Sequence, residues 1–364
     1  MGVLPSAVTS AESSWIPFGV GAGRSMERDK RETRLIEMRQ LTFDGESGAP
    51  VWHPDSRHLV YQSARAGEAC SQLHRMDLAT GKTVRMSPDK GWAGSAAYTP
   101  NGELVFAYIP AAAPPCPAFG GGLSWALPES DIIELAIGYS AEPKVLAKAA
   151  GYDGDPTVGR DGRLVFTSLR DGDPELYGLL RSGTPARITQ APGYDGNPHF
   201  SPDGTRLVWQ AERGESGDGA RAPIERGGVS PHLLEIWRAG SDGQNARVVT
   251  RHAALSITPS FLPDSRRILY ASDFDDARRK GGAPQDVYEE LPVPAHDFEI
   301  YLVDPDGPLT SGGGPRVERI TYHPGFDGEA VVSPDGRYVA FTSGRHADRP
   351  GGTNVFIARW NDDE

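Results

Sequence analysis

The chain has 364 residues, with 49 acidic against 37 basic side chains and a formal net charge of −12. Neutralising phosphates takes a concentrated basic surface, so this balance excludes nucleic acid as an electrostatically driven partner. No apolar run is long enough to cross a membrane as a helix, and the 44 glycines and 31 prolines fall mostly at one phase of a repeat, which makes them turn chemistry rather than low complexity.

Residues 1 to 30 fit no repeat and are expected to be an N-terminal extension, poorly ordered or loosely packed. Their apolar stretch, Trp15 to Gly21, lacks the charged start and continuous apolar core of a signal peptide. Either an export signal has been removed or the chain stays inside. From Arg34 to Thr42 the pattern becomes that of a strand.

A phrase then recurs along the chain. Trp52-His-Pro-Asp-Ser56 precedes His58-Leu-Val-Tyr61, Tyr98-Thr-Pro-Asn-Gly102 precedes Leu104-Val-Phe106, and Phe200-Ser-Pro-Asp-Gly204 precedes Arg206-Leu-Val-Trp209. Phe261-Leu-Pro-Asp-Ser265 and Val332-Ser-Pro-Asp-Gly336 continue the series, and Arg160-Asp-Gly162 is a copy without proline. Proline presets φ at the first turn position and glycine accepts φ > 0, so each phrase reverses the chain between two antiparallel strands. A third strand follows, as in Glu175-Leu-Tyr-Gly-Leu179, and a fourth ends in sequences such as Arg187-Ile-Thr189 or Arg319-Ile-Thr321.

First strands begin near Pro50, Ser95, Pro156, Pro198, Pro259 and Ala330. The predicted fold is all-β: a six-bladed β-propeller of four-stranded antiparallel blades, one domain over 31–364. The last blade runs out after Asn354 to Ala358, one strand short, and residues 34–42 supply that strand and close the ring without an exposed edge.

Candidate site residues cluster by repeat phase. Asp153, Asp195 and Asp327, with Asp44 as a near match, sit in aromatic-Asp-Gly loops that lead into the innermost strands. Several carboxylates around a water-filled channel suit a hard cation such as Ca²⁺; the competing reading has each Asp capping its own turn. Arg65, Arg170 and Arg345 share the end of the second strand, either as anion-binding groups near the mouth or as structural ties to a carboxylate. Three insertions, Pro110 to Asp131, Gly214 to His232 and Phe274 to Asp297, all emerge between second and third strands, on the face of the Asp loops. The first carries Phe119 and Trp125, and together they form a wall suited to a peptide or an oligosaccharide, or are solvated excursions.

Motifs of catalysis are missing from the sequence: no Gly-x-Ser-x-Gly elbow, zinc-protease helix or phosphate loop occurs. His199, His252, His296 and His323 are spread over different blades, with His252 and His323 approaching the channel rim.

The Ser-Pro-Asp-Gly phrase followed by a β run resembles the TolB-type propeller repeat, over about residues 34–360. The last blades (Asp297 to Asp304, Phe326-Asp-Gly328, Thr353 to Trp360) and the first (Arg39-Gln-Leu-Thr42 with Glu46) are similar to a TolB-like bacterial group exported to the envelope. That resemblance implies a periplasmic or extracellular protein- or peptide-binding propeller rather than an enzyme. The alternative is a metal-assisted, carbohydrate-active lyase or hydrolase with a His and carboxylate site at the channel mouth. It also implies a Cys70–Cys116 disulfide, against two unpaired thiols. Ile257 stands where the group commonly has a polar residue.

Overall fold

The computed structural model describes residues 23–43, 46–65, 67–110, 116, 125–136, 143–179, 183–212, 228–229, 234–251, 254–276, 297–311, 313–347 and 351–363. Two strands come first, β1 (Arg24–Ser25) and β2 (Leu35–Gln40). Blade one is β3 (Glu46–Trp52), β4 (His58–Ala64), β5 (Gln72–Asp77) and β6 (Thr83–Arg85). Blade two is β7 (Trp92–Tyr98), β8 (Leu104–Ile109), β10 (Asp131–Leu135) and β11 (Lys144–Ala147), with β9 (Trp125–Ala126) in the connection before β10. Blade three is β12 (Asp153–Val158), β13 (Leu164–Ser168), β14 (Glu175–Leu179) and β15 (Ala186–Arg187). Blade four is β16 (Asp195–Phe200), β17 (Arg206–Ala211), β19 (Glu235–Gly240) and β20 (Arg247–Val248), with β18 (Gly228–Val229) before β19. Blade five is β21 (Ser256–Phe261), β22 (Ile268–Ser272), β23 (Glu299–Val303) and β24 (Val317–Arg319). Blade six is β25 (Asp327–Val332), β26 (Tyr338–Ser343) and β27 (Asn354–Trp360), completed by β2. The fold is a six-bladed β-propeller, and among the described residues there is no helix.

Innermost strands touch in the closed order β3, β7, β12, β16, β21, β25 and back to β3. One backbone bond recurs at every junction: the first or second paired residue of each inner strand donates its N–H to the carbonyl just before the third strand of an adjacent blade. The six are Ser47 to Thr353, Ala93 to Ser71, Asp153 to Ser130, Asp195 to Pro174, Ser256 to Leu234 and Asp327 to Phe298, all between 2.8 and 3.1 Å. Second and third strands are covered on both faces by neighbouring blades, so they read as near-continuous apolar runs; Leu59, Val60, Phe106, Phe166, Leu207, Trp209, Leu269 and Phe341 are all at most 1% exposed.

The turns between first and second strands follow the predicted chemistry. The last turn residue has positive φ in all six blades: Ser56, Gly102, Gly162, Gly204, Ser265 and Gly336. Where serine replaces glycine it is compensated by a bond across blades: Ser265 Oγ accepts the Asp203 N–H at 3.0 Å and Ser56 Oγ accepts the Asp335 N–H at 3.2 Å. The fourth-strand Thr or Ser has a long-range partner as well. Ser87, Thr189, Thr250, Thr321 and Thr42 each accept, through the hydroxyl, the N–H of the second residue of the third strand.

Residues ahead of β2 are tied to blade six. Arg24–Ser25 adds a fifth strand to blade six, and Glu32 is fully buried, bonded to the Arg345 guanidinium and accepting the Tyr322 N–H at 3.0 Å. An ion pair between Glu32 and Arg345, 313 residues apart, is invisible to repeat reasoning because Glu32 precedes the first repeat.

The glycine of the aromatic-Asp-Gly loops has a steric cause. The aromatic ring folds over it, so that a Cβ on Gly154 would lie 2.1 Å from Tyr152, on Gly196 2.3 Å from Tyr194, and on Gly328 2.7 Å from Phe326. In blade five Leu255 stands in the aromatic's place, and Ile257 in the glycine's. The departure at Ile257 is thus a paired change. Gly196→Ala is expected to destabilise the fold by ~1–3 kcal/mol through overpacking, and Tyr194→Leu in the same chain to recover part of that loss. Urea denaturation of the two single variants and the double variant measures the coupling, and strict additivity contradicts the account.

Candidate functional site

The insertion-bearing face is organised by two elements absent from a simple repeat. β9, from the insertion of blade two, pairs antiparallel with β18, from the insertion of blade four: Trp125 opposite Val229 and Ala126 opposite Gly228. Two insertions from non-adjacent blades are therefore joined. Beneath them lies an apolar collar in which Leu127 packs with Tyr152, Tyr194, Leu255, Phe298 and Phe326, residues leading into blades three to six.

Below this collar the inner strands carry a sixfold backbone distortion. Two residues beyond each stitched position is a β-bulge with positive φ: Ala49, Ser95, Asp155, Asn197, Thr258 and Glu329, between 43° and 53°. Each such non-glycine conformation costs on the order of 1 kcal/mol, and cross-blade hydrogen bonds hold it. Ala49 N–H donates to Glu329 Oε2 at 2.6 Å, Glu329 N–H to Thr258 Oγ1 at 3.2 Å, Thr258 N–H to Gln210 Oε1 at 2.8 Å, and Asn197 N–H to Thr167 Oγ1 at 3.1 Å. Asp155 accepts from Ser95 Oγ at 3.0 Å and Tyr152 Oη at 2.9 Å. Asp155 and Glu329 belong to blades three and six, opposite each other in the ring. Burial is the leading influence on both and raises their carboxyl pKa values, against the hydrogen bonds that favour ionisation.

The residues expected to bind a channel cation have other commitments. Asp153, Asp195 and Asp327 are fully buried. Asp153 accepts from Ser168 Oγ at 2.5 Å and from Arg170 at 3.0 and 3.2 Å, Asp195 from Trp209 Nε1 at 2.6 Å, and Asp327 from Arg345 at 2.7 Å. These carboxylates face cations and donors within their own blades instead of a water-filled channel, because they sit at the interblade stitch. Asp44 lies outside the described residues. Two positions later, at the bulges of the inner strands, stand the half-buried carboxylates of Asp155 and Glu329. Aligning the repeats on Asp153-Gly and Asp327-Gly puts those two acids in one column, a signal that sequence reasoning passed over.

The arginines divide. Arg345 is 5% exposed and held by Glu32 and Asp327, which removes it from any ligand surface. Arg170 is tied to Asp153 and lies over the rings of Phe166 and Tyr177, at 5.3 and 4.7 Å. Arg65 donates to the Tyr61 hydroxyl, and in its blade Ser47 stands where blades three and six have Asp153 and Asp327. All three thus have structural partners. Glu46 opens β3, paired with Ala64. Phe119 and His252, like His296, lie outside the described residues, and Trp125 is placed by its backbone in β9.

Cys70 and Cys116 are joined as a disulfide, Cα atoms 5.5 Å apart, linking the connections of blades one and two on this face. His199, on the inner strand of blade four, and His323, before blade six, are half-buried, and both imidazole pKa values are pushed down to about 4. For both the chief cause is burial; for His323 the Arg345 cation adds to it. They do not come together as ligands: among the described residues the one group of three or more His, Cys, Asp or Glu with ligand atoms within 4.8 Å of one another is His53, Asp55 and His58, on the opposite face.

This geometry defines a closed propeller with an elaborated face, and the comparisons narrow its kind. No family model matches the chain. The Tol-Pal system protein TolB of Bordetella pertussis is 30% identical over 152 residues, covering 34% of this chain and 31% of that protein. A TolB homolog of Chlorobium luteolum is 29% identical over 147 residues. The chain spans about a third of the length of the curated relatives it matches. Among solved structures, a putative TolB from Agrobacterium tumefaciens superposes with a TM-score of 0.54 at 19% identity, covering 86% of this chain and 90% of that one. A gluconolactonase of Xanthomonas campestris superposes with a TM-score of 0.55 at 14% identity, covering 93% of this chain and 95% of its own; at that identity the likeness is one of fold. The chain is a six-bladed β-propeller that over part of its length is similar in sequence to TolB proteins.

The histidine shifts carry a stability consequence. A folded pKa near 4 against about 6.5 unfolded means the native state resists protonation, so the stability is fully present above pH 6.5 and is lost as pH falls through 6.5 toward 4. Partial exposure reduces the effect to roughly 2 kcal/mol per histidine. Urea midpoints at pH 7 and pH 4.5 measure it. His199→Gln should narrow the difference between the two pH values, and an unchanged difference contradicts the assignment.

Proposed function

We propose that this chain is a protein- or peptide-binding propeller of the bacterial periplasm, working through its insertion-bearing face and without catalytic chemistry of its own. The observation that carries the reading is the β9–β18 pair, which joins two insertions over the collar. A fold that needs only short connections spends chain here on a shared surface, and long connections in compact domains commonly serve binding. The TolB relatives, named for the Tol-Pal system, support a protein partner in that system. A disulfide between Cys70 and Cys116 suits an oxidising compartment such as the periplasm.

The reading gives Asp153, Asp195 and Asp327 the role of interblade anchors, and Arg170 and Arg345 the role of their counter-ions. Ligand recognition falls to the insertion segments, including Phe119 and Trp125. A lyase-type reading requires at least two histidines and a carboxylate at one point near the mouth, and His199 and His323 do not supply it.

The test is crosslinking in the periplasm of the source bacterium followed by mass spectrometry, with the intact chain and with a variant whose residues 214–232 are replaced by a short Gly-Ser linker. The expected result is a Tol-Pal component crosslinked to the intact chain and reduced at least tenfold in the variant, whose fold is verified by circular dichroism. Equal capture by both chains contradicts a binding role for this face.

A further inference from the structure

Blade one departs from the repeat at its Pro-Asp turn, on the face opposite the insertions. In blades four and six the residue before the proline is serine, and its hydroxyl donates to the turn aspartate at 2.6 Å: Ser201 to Asp203 and Ser333 to Asp335. In blade one that residue is His53, the turn aspartate is Asp55, and a second imidazole, His58, opens the next strand. The serine hydroxyl has been exchanged for a nitrogen ligand, and a second nitrogen has been added three residues beyond the acid.

Asp55 divides its two oxygens between different tasks. Oδ1 accepts the backbone N–H groups of Arg57 at 2.8 Å and His58 at 3.2 Å. Oδ2 is left to the imidazoles, 3.0 Å from His53 Nδ1 and 2.8 Å from His58 Nδ1. His53 Nδ1 also accepts the Asp55 N–H at 3.2 Å. Both Nδ1 atoms thus converge on one carboxylate oxygen.

The surroundings preorganise both rings. His53 packs edge-on against Tyr98, centroids 4.8 Å apart, and Gly102 of the neighbouring turn leaves it room, since a Cβ there would lie 2.8 Å from His53 Nε2. His58 Nε2 faces Asp77 Oδ2 at 3.7 Å, while Asp77 Oδ1 is taken by Ala79, Thr80 N–H and Thr80 Oγ1. A carboxylate behind the far nitrogen of a ligating histidine is the arrangement that fixes its tautomer and strengthens it as a ligand.

We propose that His53 Nδ1, His58 Nδ1 and Asp55 Oδ2 form a binding site for a divalent transition-metal ion of the zinc class, with Asp77 positioning His58. Two nitrogens and one oxygen suit Zn²⁺, Co²⁺ or Ni²⁺ and disfavour Ca²⁺, which takes oxygen ligands. Side chains at 22–34% exposure leave the fourth position to water. This site lies away from the insertion-bearing face and stands or falls separately from the binding role proposed for it.

The experiment is titration calorimetry of the full chain, freed of metal by chelation, with ZnCl₂ and in parallel CaCl₂. The expected result is one saturable Zn²⁺ equivalent, no Ca²⁺ response, and affinity reduced more than 10-fold in His53→Gln, His58→Gln and Asp55→Asn. Asp77→Asn weakens it by about 10-fold, the low end for loss of such an outer partner. Thermal unfolding of each metal-free variant checks that the turn still folds. Co²⁺ gives an independent readout: intense visible bands of a four-coordinate site in the natural chain, absent in His58→Gln. No saturable Zn²⁺ binding, or binding unchanged in the His53 and His58 variants, overturns the proposal.

Discussion

The backbone hydrogen bond from the start of each inner strand to the carbonyl preceding the neighbouring third strand is the contact on which the rest of this structure depends. It occurs at all six junctions, including the one that joins blade six to blade one through Ser47 and Thr353. Each blade is a sheet with its own ladder, so this backbone stitch, joined by the side-chain bonds at the bulges and turns, sets their relative height and angle. Everything at the insertion end is built around it. Asp153, Asp195 and Asp327 are themselves the stitched residues, which is why their side chains are buried and answered by Arg170, Trp209 and Arg345. Ser47 and Ser256 fill the same place with hydroxyls paired to Ser63 and Ser272.

Two residues beyond the stitch, the chain bulges. The positive φ there is held at Ala49, Asn197, Thr258 and Glu329 by an N–H that finds a side chain in the adjacent blade. The two half-buried acids of the inner ring, Asp155 and Glu329, are products of this geometry. So is the aromatic collar, since the ring preceding the stitch can lie flat only over a residue without a Cβ. Blade five shows the rule by its exception, with Leu255 and Ile257 exchanged together.

What was legible in the sequence was local. Pro-Asp-Gly turns announce themselves because φ constraints act within four residues, and strand alternation follows from them. Ring closure by residues 34–42 was legible because Leu41 and Thr42 repeat a fourth-strand pattern, and Thr42 Oγ1 does accept the Val355 N–H at 2.9 Å. The commitments of Asp153, Asp195 and Asp327 to partners in their own blades were not legible, because those partners lie 14 to 18 residues away. Glu32 was missed because its partner, Arg345, lies at the other end of the chain. The β9–β18 pair was missed because two-residue strands carry no periodicity. The His53, Asp55 and His58 set was hidden inside the repeat phrase itself, where regularity drew attention away from its one irregular copy.

The central claim is that a single repeated interblade bond organises the ring and its elaborated face. Native-state hydrogen exchange at the amides of Ser47, Ala93, Asp153, Asp195, Ser256 and Asp327 tests it most directly. All six should exchange together, through the same global opening as the buried amides of the second strands. Exchange at one or more of these amides orders of magnitude faster than the second strands, with the ring still folded, would contradict the account.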